Sequence, residues 1–453
     1  MSRPRSVDGA SVAPPDGLAA QVPSLRSAEA VESGRSTDEA VSPSKPVFRF
    51  APALESPHFR LLWLGMLPAT MAHQMGIVAT GYSAYTLTGG ATALGIVSVA
   101  MGLPMLVFSL IGGVVADRAP RRAVLLITQG VLALASGALA ALAFAGALQV
   151  WHLFIFGAVQ GTAFSFNMPA RQAYIAEVVG PKLLRNALAL NNAGMNFSRI
   201  VGPSLAGGIL AVGALGVGGA FAGMSAMYAV VLLALLRLPP RRTDQEDSDR
   251  PRREGGWAQM MEGLGYVKSS PTLMALLALA FLPIFFGMPF QTLMPLFAEE
   301  VHGVGAAGLG ALMTSVGVGA LVGSLVVATL SGRPRLGTLQ LGVGVGFGLS
   351  LVAFALAPSF MLAIAVLAVV GATSAAQMAL NQTLVMANTL PRLHGRIMSV
   401  YMLTFALMPV ATLPSAWLAD RIGGPATIAG LGALVAGSVV AVALLYPPYR
   451  RIR

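Results

Sequence analysis

The sequence predicts an all-α integral membrane protein whose twelve transmembrane helices form two six-helix bundles. Three observations carry that expectation. The 453 residues are 55% hydrophobic and 10% charged, whereas soluble domains carry about 25% charged residues. From residue 61 onward, apolar stretches alternate with short polar joints, and each stretch reaches the roughly 20 residues a bilayer span requires. Finally, 27 of the 29 Lys and Arg residues fall at the termini and at alternate joints, the asymmetry that places those joints in the cytoplasm.

Residues 1–48, rich in Ser, Pro and charge without an apolar run, read as a disordered cytoplasmic tail. The first bundle occupies residues 49–236, with spans near 61–86, 93–116, 122–145, 150–175, 186–212 and 217–236. A polar linker, 237–270, follows; Trp257, Met261, Leu264 and Lys268 recur in it at the spacing of a short amphipathic helix lying on the membrane surface. The second bundle, 271–447, carries spans near 272–297, 307–330, 336–356, 360–386, 397–418 and 425–446, and residues 448–453 form a cytoplasmic tail. The basic residues off this pattern are Arg199, inside the fifth span, and Arg421, beside Asp420 in an outer joint. Both termini are therefore expected on the cytoplasmic side of the plasma membrane. The net charge of +11 is then a topology signal and not a nucleic-acid surface. With no cysteine, disulfides, thiolate metal sites and cysteine nucleophiles are excluded. No cofactor or metal is expected, and the chain reads as a monomer.

The two bundles look like copies of one unit. At a shift of 215, Leu67-Pro68 falls on Leu282-Pro283, Leu94-Gly95 on Leu309-Gly310, Gly102 on Gly317, Ser109-Leu110 on Ser324-Leu325 and Arg118 on Arg333. At a shift of 210, Gly161 falls on Gly371, Gln172 on Gln382 and Pro181 on Pro391. A duplicated half with a binding site between the copies is a secondary-transporter design. No phosphate-binding Gly-x-x-x-x-Gly-Lys-Ser/Thr loop suggests a primary pump, and no intramembrane His/Asp/Glu cluster suggests an enzyme.

The joint Gly113-Val114-Val115-Ala116-Asp117-Arg118-Ala119-Pro120-Arg121-Arg122 resembles the Gly-x-Leu-Ala-Asp-Arg-x-Gly-Arg-Arg signature of the major facilitator superfamily, with Pro120 in place of a glycine. Met168-Pro169-Ala170-Arg171-Gln172-Ala173, Asn186-Ala187-Leu188-Ala189-Leu190-Asn191 and His394-Gly395-Arg396-Ile397-Met398-Ser399-Val400-Tyr401 are similar to its enterobactin-exporter and macrolide-efflux branch. The resemblance implies an efflux antiporter for a siderophore-like or amphipathic drug-like molecule, with protons as the coupling ion. An importer of the same fold, and a non-transporting membrane sensor or scaffold, are the rival readings. The resemblance also implies a cytoplasmic gate, in which Asp117 latches the eleventh span near Gly395 and Arg396 while Arg118, Arg121, Arg122, Arg171 and Glu177 complete a charge network. The alternative is that these are ordinary interface charges. Gly202, Pro203, Gly207 and Gly208 resemble the bend of proton-coupled exporters, or are plain small-residue packing.

Ionisable groups inside a membrane are costly and tend to be functional. His73 in the first span and Arg199 in the fifth are two such groups, and Arg199 shares a helical face with Asn192 and Asn196. Arg199 binds an anionic or carbonyl-rich solute or anchors a helix, and His73 lines a cavity or packs. Gln160, Gln291, Gln377 and Asn381 fall on spans that line the cavity in the superfamily. No Asp or Glu lies deep in any span, so a mostly uncharged cavity suits bulky amphipathic solutes.

Overall fold

Ser56 opens the first helix, α1 (Pro57–Thr88), by accepting the Phe59 N–H, and Pro57 stands where a missing N–H is harmless. Gly89 closes it with a left-handed φ of 66°. α2 (Ala91–Arg118), α3 (Arg121–Phe144), α4 (Val150–Ala211) and α5 (Gly216–Arg237) follow. The structure, a computed structural model, describes residues 51–238, 265–268, 270–330, 335–390 and 393–451; within them the side chains at 109–114, 116–118, 399, 402, 403, 405, 406, 450 and 451 are not described. The expected tail, 1–48, and nearly all of the expected linker helix lie outside these residues.

α4 contains two arms. Gly180 alone departs from helical geometry, with φ 68° and ψ 177°, and Pro181 begins the second arm. The joint expected over 176–185 is thus a single-residue kink. Glycine reaches this φ without a Cβ clash, and proline is tolerated in a first helical turn.

The second set begins with α6 (Pro271–Gly287), α7 (Pro289–Thr292), α8 (Met294–Leu296) and a π turn, Phe297–Val301. The span expected to be continuous over 272–297 is therefore broken, because Pro289 and Pro295 cannot donate to the helical ladder. α9 (Gly305–Thr329), α10 (Leu336–Ala355), α11 (Phe360–Ala387), α12 (His394–Ala406), α13 (Met408–Ile422) and α14 (Gly424–Leu445) complete the set. The break between α12 and α13 stands just before Pro409, for the same reason. Among the described residues, nine helices are long and apolar enough to cross a bilayer. α4, rich in amides, and the divided α12–α13 pair are not among them.

α1 packs on both α4 and α5, α2 on α4, and α3 on α5; in the second set α9 packs on α11, and α10 on α11 and α14. One close approach occurs twice. Gly161 of α4 lies against the Met101 carbonyl of α2, and Gly371 of α11 against the Val316 carbonyl of α9. Met101 and Val316 differ by the shift of 215, Gly161 and Gly371 by 210. A Cβ on either glycine would strike a backbone oxygen, so small residues permit the contact.

The two sets meet along two seams, α2 on α13 and α4 on α9. Gly95 lies against Leu413 and Ala416, and Gly102 against Pro409. On the other seam Gly310 lies against Gly207 and Pro203, and Gly317 against the Arg199 carbonyl. Gly95/Gly310 and Gly102/Gly317 are both pairs of the internal repeat. Gly81 against Pro295, and Ser98 against Thr292, add contacts at the same level. All of these lie at mid-bundle or toward the end remote from the arginine-bearing joints.

Candidate functional site

α1 and the two arms of α4 border a narrow, partly open cleft lined by Trp63, Met66, Thr70, Arg171, Asn191 and Met195. Two bonds hold the second arm of α4 on α1. The Trp63 indole N–H donates to the Leu190 carbonyl at 2.9 Å, and the Thr70 and Ser198 hydroxyls lie 2.6 Å apart. Arg171 is 4% exposed, and its Nε has no hydrogen-bond partner. His73, three residues beyond Thr70, stacks on Phe164 with centroids 5.1 Å apart.

Arg199 follows from the helical phase of the second arm. Gly194, Ser198 and Gly202 face α1, while Ser204, Gly207 and the Ile200 carbonyl face α9. Arg199 and Asn192 fall between those faces, on the side of Met195, and both are exposed; Asn196 is half-buried. His73 lies within electrostatic reach of both guanidiniums. The carboxylates with described side chains (Glu55, Glu177, Glu299, Glu300 and Asp420) stand at helix ends. The cleft side is thus cationic, aromatic and thioether-lined, suited to anionic or strongly accepting groups on an apolar body.

The predicted amides lie outside that cleft, and Gln377 and Asn381 border a second one with Pro283, Met288 and Tyr401. Gln160 is buried between α1 and α5, against Gly76 beside Met224. Gln377 donates to the Leu279 carbonyl at 3.3 Å and Asn381 to the Leu276 carbonyl at 2.8 Å. Pro283 explains the first bond: in a helix the Leu279 carbonyl awaits the N–H of residue 283, which proline lacks. Gln377 supplies the replacement from α11. Gln291 lies in the broken stretch of α7, its amide reaching the Met288 sulfur at 3.8 Å. In α4, Gly202 lets α1 approach at Met71 and Gln74, whereas Gly208 meets nothing within 4 Å. Pro203 likewise frees the Arg199 carbonyl, on which Gly317 rests.

At the arginine-bearing end, the Asp117 and Arg118 side chains and Gly113 lie outside the described side chains. Arg121 pairs with Glu177, tying the start of α3 to α4. Arg122 donates to the carbonyls of Leu235 and Leu236 at 2.9 and 3.0 Å, capping α5. Arg171 does not join this group. It stands six residues before Glu177, about 240° around the helix, and points into the cleft instead. Gly395 and Arg396 begin α12.

The opposite end holds a contact that sequence reasoning missed. The Asp420 carboxylate, at the end of α13, accepts the backbone N–H groups of Ala91 and Thr92 at 2.6 and 2.8 Å, together with the Thr92 hydroxyl. It caps α2 across the seam between the two sets. The Arg421 guanidinium is turned over the Trp417 ring, 5.2 Å from its centroid. The signal was present: Leu418-Ala419-Asp420-Arg421-Ile422-Gly423 repeats the Ala-Asp-Arg of residues 116–118.

This bundle of paired helix sets is shared with known proteins. Residues 48–448 match the family model described as transmembrane secretion effector. The chain belongs to that family, within the major facilitator superfamily. This secretion-effector relative is 25% identical over 398 residues to macrolide efflux protein A of Streptococcus pyogenes, which spans 87% of this chain and 96% of that protein. It is 26% identical over 383 residues to the enterobactin exporter EntS of Citrobacter koseri, covering 84% and 86% of the two chains. In fold it is similar to a POT family transporter crystallised with 5-aminolevulinic acid (TM-score 0.66, 13% identity, 87% and 97% covered). A D-xylose-proton symporter is also similar (TM-score 0.62, 15% identity, 86% and 96% covered). This secretion-effector family member is a multi-pass membrane transporter of a small molecule, not an enzyme.

Proposed function

We propose that the transporter exports an amphipathic small molecule with an apolar body and at least one anionic or acidic group, siderophore-like or drug-like, in exchange for protons. The observation that carries this reading is Arg171, buried in the cleft with its Nε unpartnered, in a bundle whose described carboxylates stand at helix ends. A guanidinium held away from water without a protein carboxylate favours a ligand that completes its fork of donors. The relatives named for macrolide efflux and enterobactin export support the outward direction. In this reading the chain crosses the membrane twelve times with both termini cytoplasmic, and the two bundles rock about the seams. The contacts on both seams then close the extracellular side, so the cleft opens toward the cytoplasm. Asp117 closes the cytoplasmic side in the alternate state. His73, stacked on Phe164 within the first span, is the candidate proton carrier.

The test is uptake into inverted membrane vesicles, comparing an anionic catecholate, an anionic dye and a neutral macrolide, with a pH gradient imposed or collapsed. Gradient-dependent accumulation of the anionic compounds is expected. Accumulation in right-side-out vesicles instead would make the protein an importer.

A further inference from the structure

α2 and α13 run antiparallel, since the start of α2 at Ala91 meets the end of α13 at Asp420 while Gly102 meets Pro409. Each of these helices ends on the same tripeptide: Ala116-Asp117-Arg118 on α2 and Ala419-Asp420-Arg421 on α13. Each therefore carries an aspartate near its C-terminal end, where the helix dipole gives a carboxylate no support. For Asp420 that support comes from α2: both carboxylate oxygens are engaged by the first two N–H groups of α2, donors that a helix cannot satisfy internally. Gly90 precedes them, and even a Cβ there would stand 3.7 Å from the carboxylate. The contact spans 329 residues and joins the two helix sets.

We propose that Asp420 is a positioning residue of the transport cycle: it latches the two bundles at the extracellular end by capping α2 in trans. Asp117 and Asp420 then form a reciprocal pair across one antiparallel seam. Each capping bond forms at the end that closes, and rocking about the seam breaks one as it makes the other. The proposal rests on the alternating-access reading but not on any substrate. Its test reads conformation directly, so a wrong substrate assignment leaves it intact.

The chain lacks native cysteine, so Leu87→Cys and Leu356→Cys, at exposed positions on opposite helix sets (45% and 68% exposed), accept a pair of spin labels without background. In the full-length protein in nanodiscs, the labels should report mainly the short distance. Asp420→Asn should raise the ratio of wide to short by about ten- to a hundredfold, as losing a charge-assisted bond implies. Ala91→Pro should act the same way. It removes one donor and leaves the carboxylate intact, at a helical position proline accepts, after a residue already extended (Gly90 φ −133°, ψ 142°). Asp117→Asn should move the ratio the other way. An unchanged distance distribution in Asp420→Asn overturns the latch. If that variant does not insert, an unchanged distribution in Ala91→Pro overturns it equally.

Discussion

A polar side chain in this transporter has one of two tasks, and for Gln377 a proline on the neighbouring helix decides which. Gln377 and Asn381 are inward-facing amides on α11, yet both donate to carbonyls of α6. Removing the Gln377 donor leaves the carbonyl freed by Pro283 unpaired, so Gln377→Leu should lower detergent-solubilised stability by about 1–3 kcal/mol. The same change made on Pro283→Ala should cost clearly less, because the restored N–H satisfies Leu279; thermal melts of the four proteins give the coupling. Equal losses in both backgrounds would return Gln377 to the list of substrate contacts. Arg199 belongs to the other class. With no such backbone duty for its guanidinium, Arg199→Gln is expected to lose transport of anionic compounds while keeping that of neutral ones. Arg199→Lys should fall between, since a point charge keeps attraction but not bidentate geometry. Initial rates on a matched anionic and neutral pair settle the assignment. A uniform loss accompanied by a lower melting temperature would make Arg199 a packing residue.

Between elements, glycines divide by what lies across from them. Gly161 and Gly371 sit inside the two helix sets, against backbone carbonyls of the same set. Gly161→Val and Gly371→Val should each destabilise by about 1–3 kcal/mol, the usual cost of overpacking, and by similar amounts in thermal melts. Gly102 and Gly310 sit on the seams, against the opposite set. Substitution there can be relieved by opening, so Gly310→Leu should leave the melting temperature nearly unchanged and widen the Leu87–Leu356 label distance. If Gly310→Leu lowers the melting temperature as much as Gly161→Val does, the seam is a fixed interface and the rocking axis lies elsewhere. Prolines act at the same scale. Pro289 and Pro295 break the helix that follows α6, and Pro409 follows the break between α12 and α13. Both breaks adjoin the seam contacts, Thr292 with Ser98 and Pro409 with Gly102.

For the whole molecule, charge sidedness and mechanism are linked. With 27 of 29 basic residues on one set of joints, a Ser248→Cys reporter in the linker should react with an impermeant maleimide only after cells are permeabilised. Leu356→Cys should react in intact cells. Reaction of Ser248→Cys from outside would sink the twelve-crossing arrangement. Asp117→Asn should collapse transport while the protein still inserts, because only one of the two end states then keeps its cap. Wild-type rates at normal expression would reduce Asp117 to a topology charge. Arg121 with Glu177, and Arg122 on the end of α5, tie helices within one set. Neutralising Arg122 is therefore expected to loosen that bundle, read as a lower melting temperature, and not to change which end is open.

By itself the sequence determined the solvent, the placement of the apolar segments, the clustering of basic joints and the internal repeat. Each is written along the chain at short range, as a run length, a charge position or a fixed offset, because a bilayer imposes a one-dimensional pattern on whatever crosses it. The repeat even named the seam glycines, Gly95/Gly310 and Gly102/Gly317, without saying what they touch. Only the tertiary structure decided partners. It sent Arg171 into the cleft and Glu177 to Arg121, although both had been read as one network, since six residues of helix turn them apart. It showed that Gln377 and Asn381 donate to carbonyls of α6, the first bond being set by Pro283 on that helix. It also joined Asp420 to the start of α2, 329 residues away. Periodicity states which way a side chain faces on its own helix; which backbone group waits there depends on how the helices come together in three dimensions.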